Sequence, residues 1–504
     1  MKKRVLSFLL VIAMIVTMFA ACGSTNDEPQ QTEAPAVSDT PATPDVTEAP
    51  EEIVTVTWAV RGDPQDDYDA VLEAANKLLR ERYNLELNLV VIPSGEYSTR
   101  MDLMITSGEE WDLCYCSSWN NPFLVNVNRE AFLGLNDLLA TETGKELLSV
   151  YPEGLTDYAT VQGEVYALPN YQKLYDGYAA AIRKDLAEKY NLDLTKEYKD
   201  LDDLIPFMDE VLANEPDIWP LRASGAEGGY YRNYETINQA LIVEVDDPNQ
   251  TVKYMWENDS WNYSRQRLAD LFQKGYIRAD QATVTDDSAD QMAGRYAVQM
   301  LPYKPGFEAD TAAKYGGEYV CIQFTDVDYM IYSTSPQATM TAINYASKNP
   351  EAALKMYTVM WTDPEIYNIL VFGIEGEHYT KVAENRVEQI ADSGWSVAGM
   401  FGWQLGNQFN AMVLPGQGDD IWVETDALNK NAIQSKLAGF SWDSTEVSTE
   451  LAQLTAKMAE LPSPWMNNVD YTTVYDSWTT EMDSIGGVEL KANLQEQIDA
   501  HIGK

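Results

Sequence analysis

Ile53-Val54-Thr55-Val56-Thr57-Trp58 is a β-branched, alternating run, and its sequel decides the fold. The run reads as a strand. Asp63-Pro64 then offers an N-cap with proline at the first helical position, and Val71, Leu72, Ala75, Leu78 and Leu79 recur at helical spacing. Leu85 to Ile92 reads as a second strand, and a short helix follows with Met101, Met104 and Ile105, ending near Gly108. Trp111-Asp112-Leu113-Cys114-Tyr115-Cys116 is a third strand. Strand, helix, strand, helix, strand is the order of an α/β sheet with helices on its faces.

Downstream, Leu201, Leu204, Ile205, Met208, Val211 and Leu212 make one helical stripe, and Leu268, Leu271 and Phe272 another that stops at Gly275. Asn349-Pro350 and Asp363-Pro364 each resemble a cap with proline behind it. The last hundred residues read as mainly helical, with Leu451, Leu454 and Met458, then Leu490, Leu494 and Ile498. Roughly 450 ordered residues exceed what one core usually supports, so two lobes are expected. No repeat or second low-complexity segment marks a boundary, which fits lobes that exchange chain more than once.

Upstream, Lys2, Lys3 and Arg4 precede an uncharged apolar run, Val5 to Ala21, the layout of a secretory leader over residues 1–21. Phe19-Ala20-Ala21-Cys22 resembles a lipobox, with Phe19 in place of the usual Leu. The resemblance implies cleavage before Cys22, lipid on that cysteine, and attachment at the outer face of the membrane without a spanning helix. Residues 23–52 hold five prolines, eight acids and no base, so 22–52 is expected to be a lipidated cysteine on a disordered, self-repelling tether.

The chain of 504 residues carries a net charge of −44; without the three leader cations it is −47, and without the eight spacer acids −39. Such a body disfavours nucleic acid and anionic lipid as partners. After lipidation Cys114, Cys116 and Cys321 remain, an odd set that makes no disulfide framework. Cys114 and Cys116 are expected to be small buried hydrophobes. With only His378 and His501 available, no histidine triad or zinc site can be assembled, and no phosphate loop or dinucleotide fingerprint occurs. Acidic runs at 63–69 and 286–290 lack the pattern of a calcium loop. No metal, cofactor or catalytic residue is expected.

Several segments, in order along the body, resemble the extracellular solute-binding proteins of ABC importers, in the carbohydrate-type group that includes maltodextrin-binding proteins. They are Gly163-Glu164-Val165-Tyr166-Ala167-Leu168-Pro169, Ala181-Ile182-Arg183-Lys184-Asp185-Leu186, Trp219-Pro220-Leu221 with Gly228-Gly229-Tyr230, and Gly294-Arg295-Tyr296-Ala297-Val298. Gly373-Ile374-Glu375-Gly376-Glu377-His378-Tyr379 and Leu437-Ala438-Gly439-Phe440-Ser441-Trp442-Asp443 are similar to blocks of a Gram-positive lipoprotein subset with a distinctive C-terminal region. The resemblance implies a two-lobed, type II periplasmic-binding-protein-like fold with a hinge and a helical C-terminal part. By that analogy lobe one comprises 53–172 plus 290–335, and lobe two 173–289 plus 336–504. It further implies a monomer that captures an oligosaccharide or related polar solute between the lobes and delivers it to membrane permease subunits.

Thirty tyrosines and thirteen tryptophans supply rings on which sugar C–H faces can pack, with amides, acids and Arg for the hydroxyls. Ligands of open α/β sheets sit beyond the carboxyl ends of strands. The candidates are therefore Arg61 and Asp66 after the first strand, and Trp119 and Asn120 after the third. Tyr171 and Tyr175 lie near the first crossing, Tyr230 and Tyr231 in the cleft-like loop, and Tyr303 and Lys304 after the re-entering strand. Glu375, His378, Trp395, Trp403 and Asn407 complete the set, with structural hydrogen bonding the favoured role of His378. Two other readings remain open here: a peptide or cationic solute in the same fold, and a surface glycoside hydrolase with two carboxylates.

Overall fold

β1 (Val54–Arg61) sits between two parallel neighbours, β2 (Leu85–Ile92) and β3 (Leu113–Cys116). Its register with β2 runs unbroken from Val54↔Leu85 to Arg61↔Ile92. The alternation visible in sequence is what lets Val56, Trp58 and Val60 enter the core while Thr55 and Thr57 face outward. α1 (Tyr68–Tyr83) joins the two strands and ends on Asn84, whose left-handed φ of 53° turns the chain into β2; α2 (Tyr97–Ser107) ends likewise on Gly108. In this computed structural model the described residues are 52–503 apart from 224–232, 239, 285, 326–327, 398–399, 401 and 466–470. The leader, Cys22 and the spacer up to Glu51 lie outside them.

The helix expected from Pro64 starts instead at Tyr68. Residues 62–67 stay in a loop because Asp67 is drawn elsewhere: its backbone N–H donates to Gly394 O at 3.0 Å and its carboxylate meets His378. At Asp363-Pro364 the expected cap is present, with Asp363 accepting from Glu365 N and Ile366 N at 3.1 and 3.2 Å. Asn349 makes no side-chain cap bond, although Pro350 opens its helix.

The first sheet has the order β2, β1, β3, Met340–Ile343, Leu168–Pro169. A second sheet has the order Tyr319–Gln323, Tyr178–Arg183, Tyr296–Pro302, Trp219–Arg222. The strand at 296–302, expected in lobe one, thus pairs in the second sheet, with Val298 opposite Ile182 and Gln299 opposite Ala181. Ala179, Ala180, Ala181 and Ile182 are all fully buried, so this strand lies inside its sheet and takes a partner on each edge, 296–302 and 319–323. The assignment of 336–504 to lobe two also needs correction. Met340–Ile343 pairs antiparallel with β3, and the helices Pro350–Thr362 and Pro364–Phe372 share the core of Trp58, Val60 and Leu87.

A third cluster joins the strands Tyr234–Asn238, Leu241–Glu244 and Lys253–Tyr254 to the C-terminal helices. Leu454, Leu490, Leu494 and Ile498, read from helical spacing, are buried there. Cys114 and Cys116 are fully buried, and burial pushes both thiols up.

Three chain segments cross between the sheets side by side. Asp176 and Met330 exchange backbone hydrogen bonds of 2.6 and 3.1 Å, and Met330–Ile331 pairs in parallel with Ile433–Gln434. Gly177 is required at this crossing, because a Cβ would lie 2.1 Å from the Tyr329 ring. Buried Glu235 ties the third sheet to the crossing: Ser333 N donates to it at 2.8 Å, and the hydroxyls of Ser333 and Ser435 donate to its two oxygens.

Candidate functional site: an aromatic cage at the carboxyl ends of the first sheet

Arg61 ends β1, and the loop after β3 brings Trp119 beside it. The guanidinium lies 4.6 Å from the Trp119 ring centroid and 5.7 Å from those of Tyr115 and Trp403. Tyr115 meets Trp403 edge-on at 5.6 Å and Trp119 at 6.4 Å. One carbonyl, Ala338 O, accepts from both Trp119 Nε1 (2.9 Å) and Tyr115 OH (3.2 Å). Trp119 nevertheless remains 56% exposed, unusual for a ring so firmly held. Burial pushes the Tyr115 phenol up to about 12, opposed by its Ser117 contact and by the Arg61 charge.

The loop is preformed. Ser117 Oγ accepts from Trp119 N and Asn120 N and donates to Asn120 O, while Asn121, at a φ of 48°, bonds Tyr115 O through its amide. Gln404 holds Arg61 from 343 residues away: Arg61 N donates to Gln404 Oε1 at 3.0 Å, and Gln404 Nε2 donates to Arg61 O at 2.5 Å. Asn170, at the start of the first crossing, donates to Gln404 O and to Thr339 Oγ1.

Three polar side-chain atoms in the loops after the three parallel strands are buried without a hydrogen-bond partner in the protein. They are Gln65 Nε2 after β1, Ser94 Oγ after β2 and Asn120 Oδ1 after β3. Buried polar groups are nearly always satisfied, and these three lie in the successive loops at the carboxyl ends of β1, β2 and β3. Gln65, Ser94, Tyr115, Asn170 and Gln404 did not emerge from the sequence reading. The position of Gln65 and Ser94 just after strands was the one available signal.

Of the sequence-derived candidates, the structure brings together Arg61, Trp119, Asn120 and Trp403. Asp66 is exposed in the loop after β1, without joining the cage. Tyr171 belongs to the core, packing on Trp361 and Phe409 and donating to Asp426 Oδ1 at 2.5 Å. Its neighbour Asn407 caps a short turn through Phe409 N. Trp395 is buried, with Nε1 donating to Val371 O. His378 is 1% exposed and uses both ring nitrogens internally: Ile374 N donates to Nδ1 at 2.8 Å, leaving Nε2 to donate to Asp67 at 3.1 Å. These assignments remove Tyr171, Trp395 and His378 from the ligand-contact set, because each is enclosed by protein partners. Glu375 is exposed beside Lys381.

Tyr175 and Tyr303 sit at the crossing, both against Tyr329, with centroids at 4.9 and 6.0 Å. Lys304 pairs with Asp310 at 2.7 Å. Lys173 lies over the Tyr175 ring; burial, opposed by Asp176 and reinforced by Lys304, pushes its ammonium down to about 8. Tyr230 and Tyr231 lie outside the described residues. Among the described residues no three His, Cys, Asp or Glu side chains gather as a metal site. No described helix is long and apolar enough to cross a membrane.

Residues 62–364 match the family model of bacterial extracellular solute-binding proteins. A carbohydrate ABC transporter substrate-binding protein of Streptococcus pneumoniae serotype 4 is 24% identical over 454 residues, covering 87% of this chain and 89% of that protein. The crystal structure of the N-glycan transport solute-binding protein NgtS from Streptococcus pneumoniae superposes with a TM-score of 0.79 at 21% identity, covering 89% of this chain and 99% of that one. The same protein in complex with Man1GlcNAc gives a TM-score of 0.73 at 20% identity, covering 89% and 100%.

Proposed function

The chain belongs to the bacterial extracellular solute-binding protein family, and from that premise we propose that it captures an oligosaccharide for an ABC importer, without catalysis. The observation that carries the reading is the cage at the carboxyl ends of β1 and β3. A half-exposed indole, held at its nitrogen, offers a flat apolar face, with the Arg61 guanidinium and the Asn120 amide beside it as polar groups. That combination suits a pyranose, which presents C–H groups on its faces and hydroxyls at its rim. The likeness to a carbohydrate ABC transporter component agrees with it.

A cationic solute is disfavoured by a specific contact. The place a cation would take among the three rings is already held by the Arg61 guanidinium. The protein acts as a monomer tethered through lipid on Cys22, which raises its effective concentration at the permease.

Isothermal calorimetry with Man5GlcNAc, a basic peptide and a quaternary amine tests the ligand class. Heat with the glycan alone is expected. Binding of the peptide or amine in its place would overturn the carbohydrate assignment, and glycan turnover by the pure protein would overturn the absence of catalysis.

A further inference from the structure

A groove of about 780 Å³ lies away from the cage, between residues 128 and 161–162 on one wall and residues 439–445 with the C-terminal helix on the other. Its volume falls in the range of small-molecule sites. We propose that it is a second glycan-binding site, taking an uncharged sugar unit; the proposal rests on the carbohydrate reading given above.

The walls have matching chemistry. Phe440 and Trp442 are half-buried rings, and the Asn128 and Gln162 side chains, both exposed, make no hydrogen bond among the described residues. Free amides opposite aromatic rings are what a sugar needs, since the rings take its C–H face and the amides both donate to and accept from its hydroxyls. The charge pattern agrees. In a chain of 79 acidic residues, the groove is lined by one acid, Asp443, and by no Lys or Arg. The Asp443 carboxylate is engaged by Thr445 N at 3.0 Å and Thr445 Oγ1 at 2.6 Å.

The aromatic wall is rigid before any ligand arrives. Trp442 Nε1 donates to Asn493 Oδ1 at 2.9 Å, and Gln497 brackets Asp443, accepting from its N–H at 2.9 Å and donating to its carbonyl at 2.8 Å. Amides of the C-terminal helix thus hold the Trp442 loop in place while leaving the ring part-exposed, which lowers the ordering cost of binding. Gly439 seals the joint between the walls: its φ is +74°, and a Cβ would lie 2.6 Å from the Asp157 carbonyl oxygen. The groove is linked to the cage by a chain of contacts, from Trp119 through Ala338 O, then Gln337 to Tyr158 O and Asp157.

Fluorine NMR of the mature chain labelled with fluorotryptophan, titrated with Man5GlcNAc, tests this. The Trp442 resonance, assigned by its loss in Trp442→Phe, is expected to move and saturate in the wild type and in Trp119→Ala. Asn128→Ala, at an exposed position, is expected to weaken that saturation about 3- to 10-fold, the worth of one lost hydrogen bond, with no change in melting temperature. A Trp442 shift that vanishes in Trp119→Ala would mean transmission from the cage and would overturn the groove. A still Trp442 beside a moving Trp119 or Trp403 would overturn the groove and leave the carbohydrate reading intact. No movement of any tryptophan would overturn both.

Discussion

Removing the indole of Trp119 is expected to weaken oligosaccharide binding by about 20-fold while leaving the fold in place. A tryptophan buries up to ~250 Å², and 56% of Trp119 is still uncovered, which leaves about 140 Å² for a ligand. A sugar ring stacked on one face covers about half of that, ~70 Å², contributing ~1.8 kcal/mol at ~25 cal/mol/Å². That free energy corresponds to about 20-fold in Kd. The same exposure means that Trp119→Ala opens little cavity, so its melting temperature is expected to stay within about 2 °C of wild type. Trp119→Phe keeps a ring but loses the bond to Ala338 O, and an intermediate Kd is expected. Calorimetric titration with Man5GlcNAc reads the affinity, and thermal unfolding guards against misfolding. A Kd within about 2-fold of wild type, with the melting temperature unchanged, would refute the placement of this indole against the ligand.

Glu235→Ala strips the acceptor from Ser333 N and from two buried hydroxyls; a loss of about 2–4 kcal/mol in denaturant unfolding is expected, and a loss below 1 would show that the tie is dispensable. Lys173 titrates near 8 in the folded protein, below the unfolded value of about 10.4. The unfolded chain therefore binds more protons between those values, and stability rises with pH across that window. Lys173→Met is expected to be more stable than wild type at pH 7, with the gap narrowing by pH 10; a gap constant with pH would contradict the burial of that ammonium. Cys22→Ala is expected to release the protein into the medium with unaltered ligand affinity, as fractionation and titration would show.

The first three strands and two helices were legible because their signals are local: alternation in Val54–Arg61, helical spacing from Val71 to Leu79, and a helix end at Gly108. Strand partnership is not local. Gly294-Arg295-Tyr296-Ala297-Val298 announces a strand, but the fully buried alanines at 179–181 decide which sheet receives it. The site divides in the same way. Arg61 and Trp119 could be placed by the rule that loops after strands meet ligands, whereas Gln404 joins Arg61 across 343 residues and carries no motif. Tyr171 reads as a ligand group because polar rings in loops look alike in sequence, whereas structural hydrogen bonding is already the favoured role of His378. Only the partners at Asp67, Ile374 and Asp426 show that their polar atoms are already engaged.

The cage and the crossing are one polar network. Asn170 begins the first crossing and bonds Gln404 O; Gln404 in turn fixes both backbone groups of Arg61, whose guanidinium lies over Trp119. Tyr357 OH and Thr341 Oγ1 both donate to Asn170 Oδ1, so this amide is held from the core as well. A buried network with each member bonded is rigid; the first sheet therefore holds the cage residues on a fixed frame. The crossing itself is built otherwise. It consists of short paired segments at Asp176, Met330–Ile331 and Ile433–Gln434, with a glycine at 177 against Tyr329 and the Glu235 clasp holding two serines. Few backbone bonds join the segments there, so a bend at the crossing would leave the geometry of the proposed ligand surface beside Arg61 unchanged.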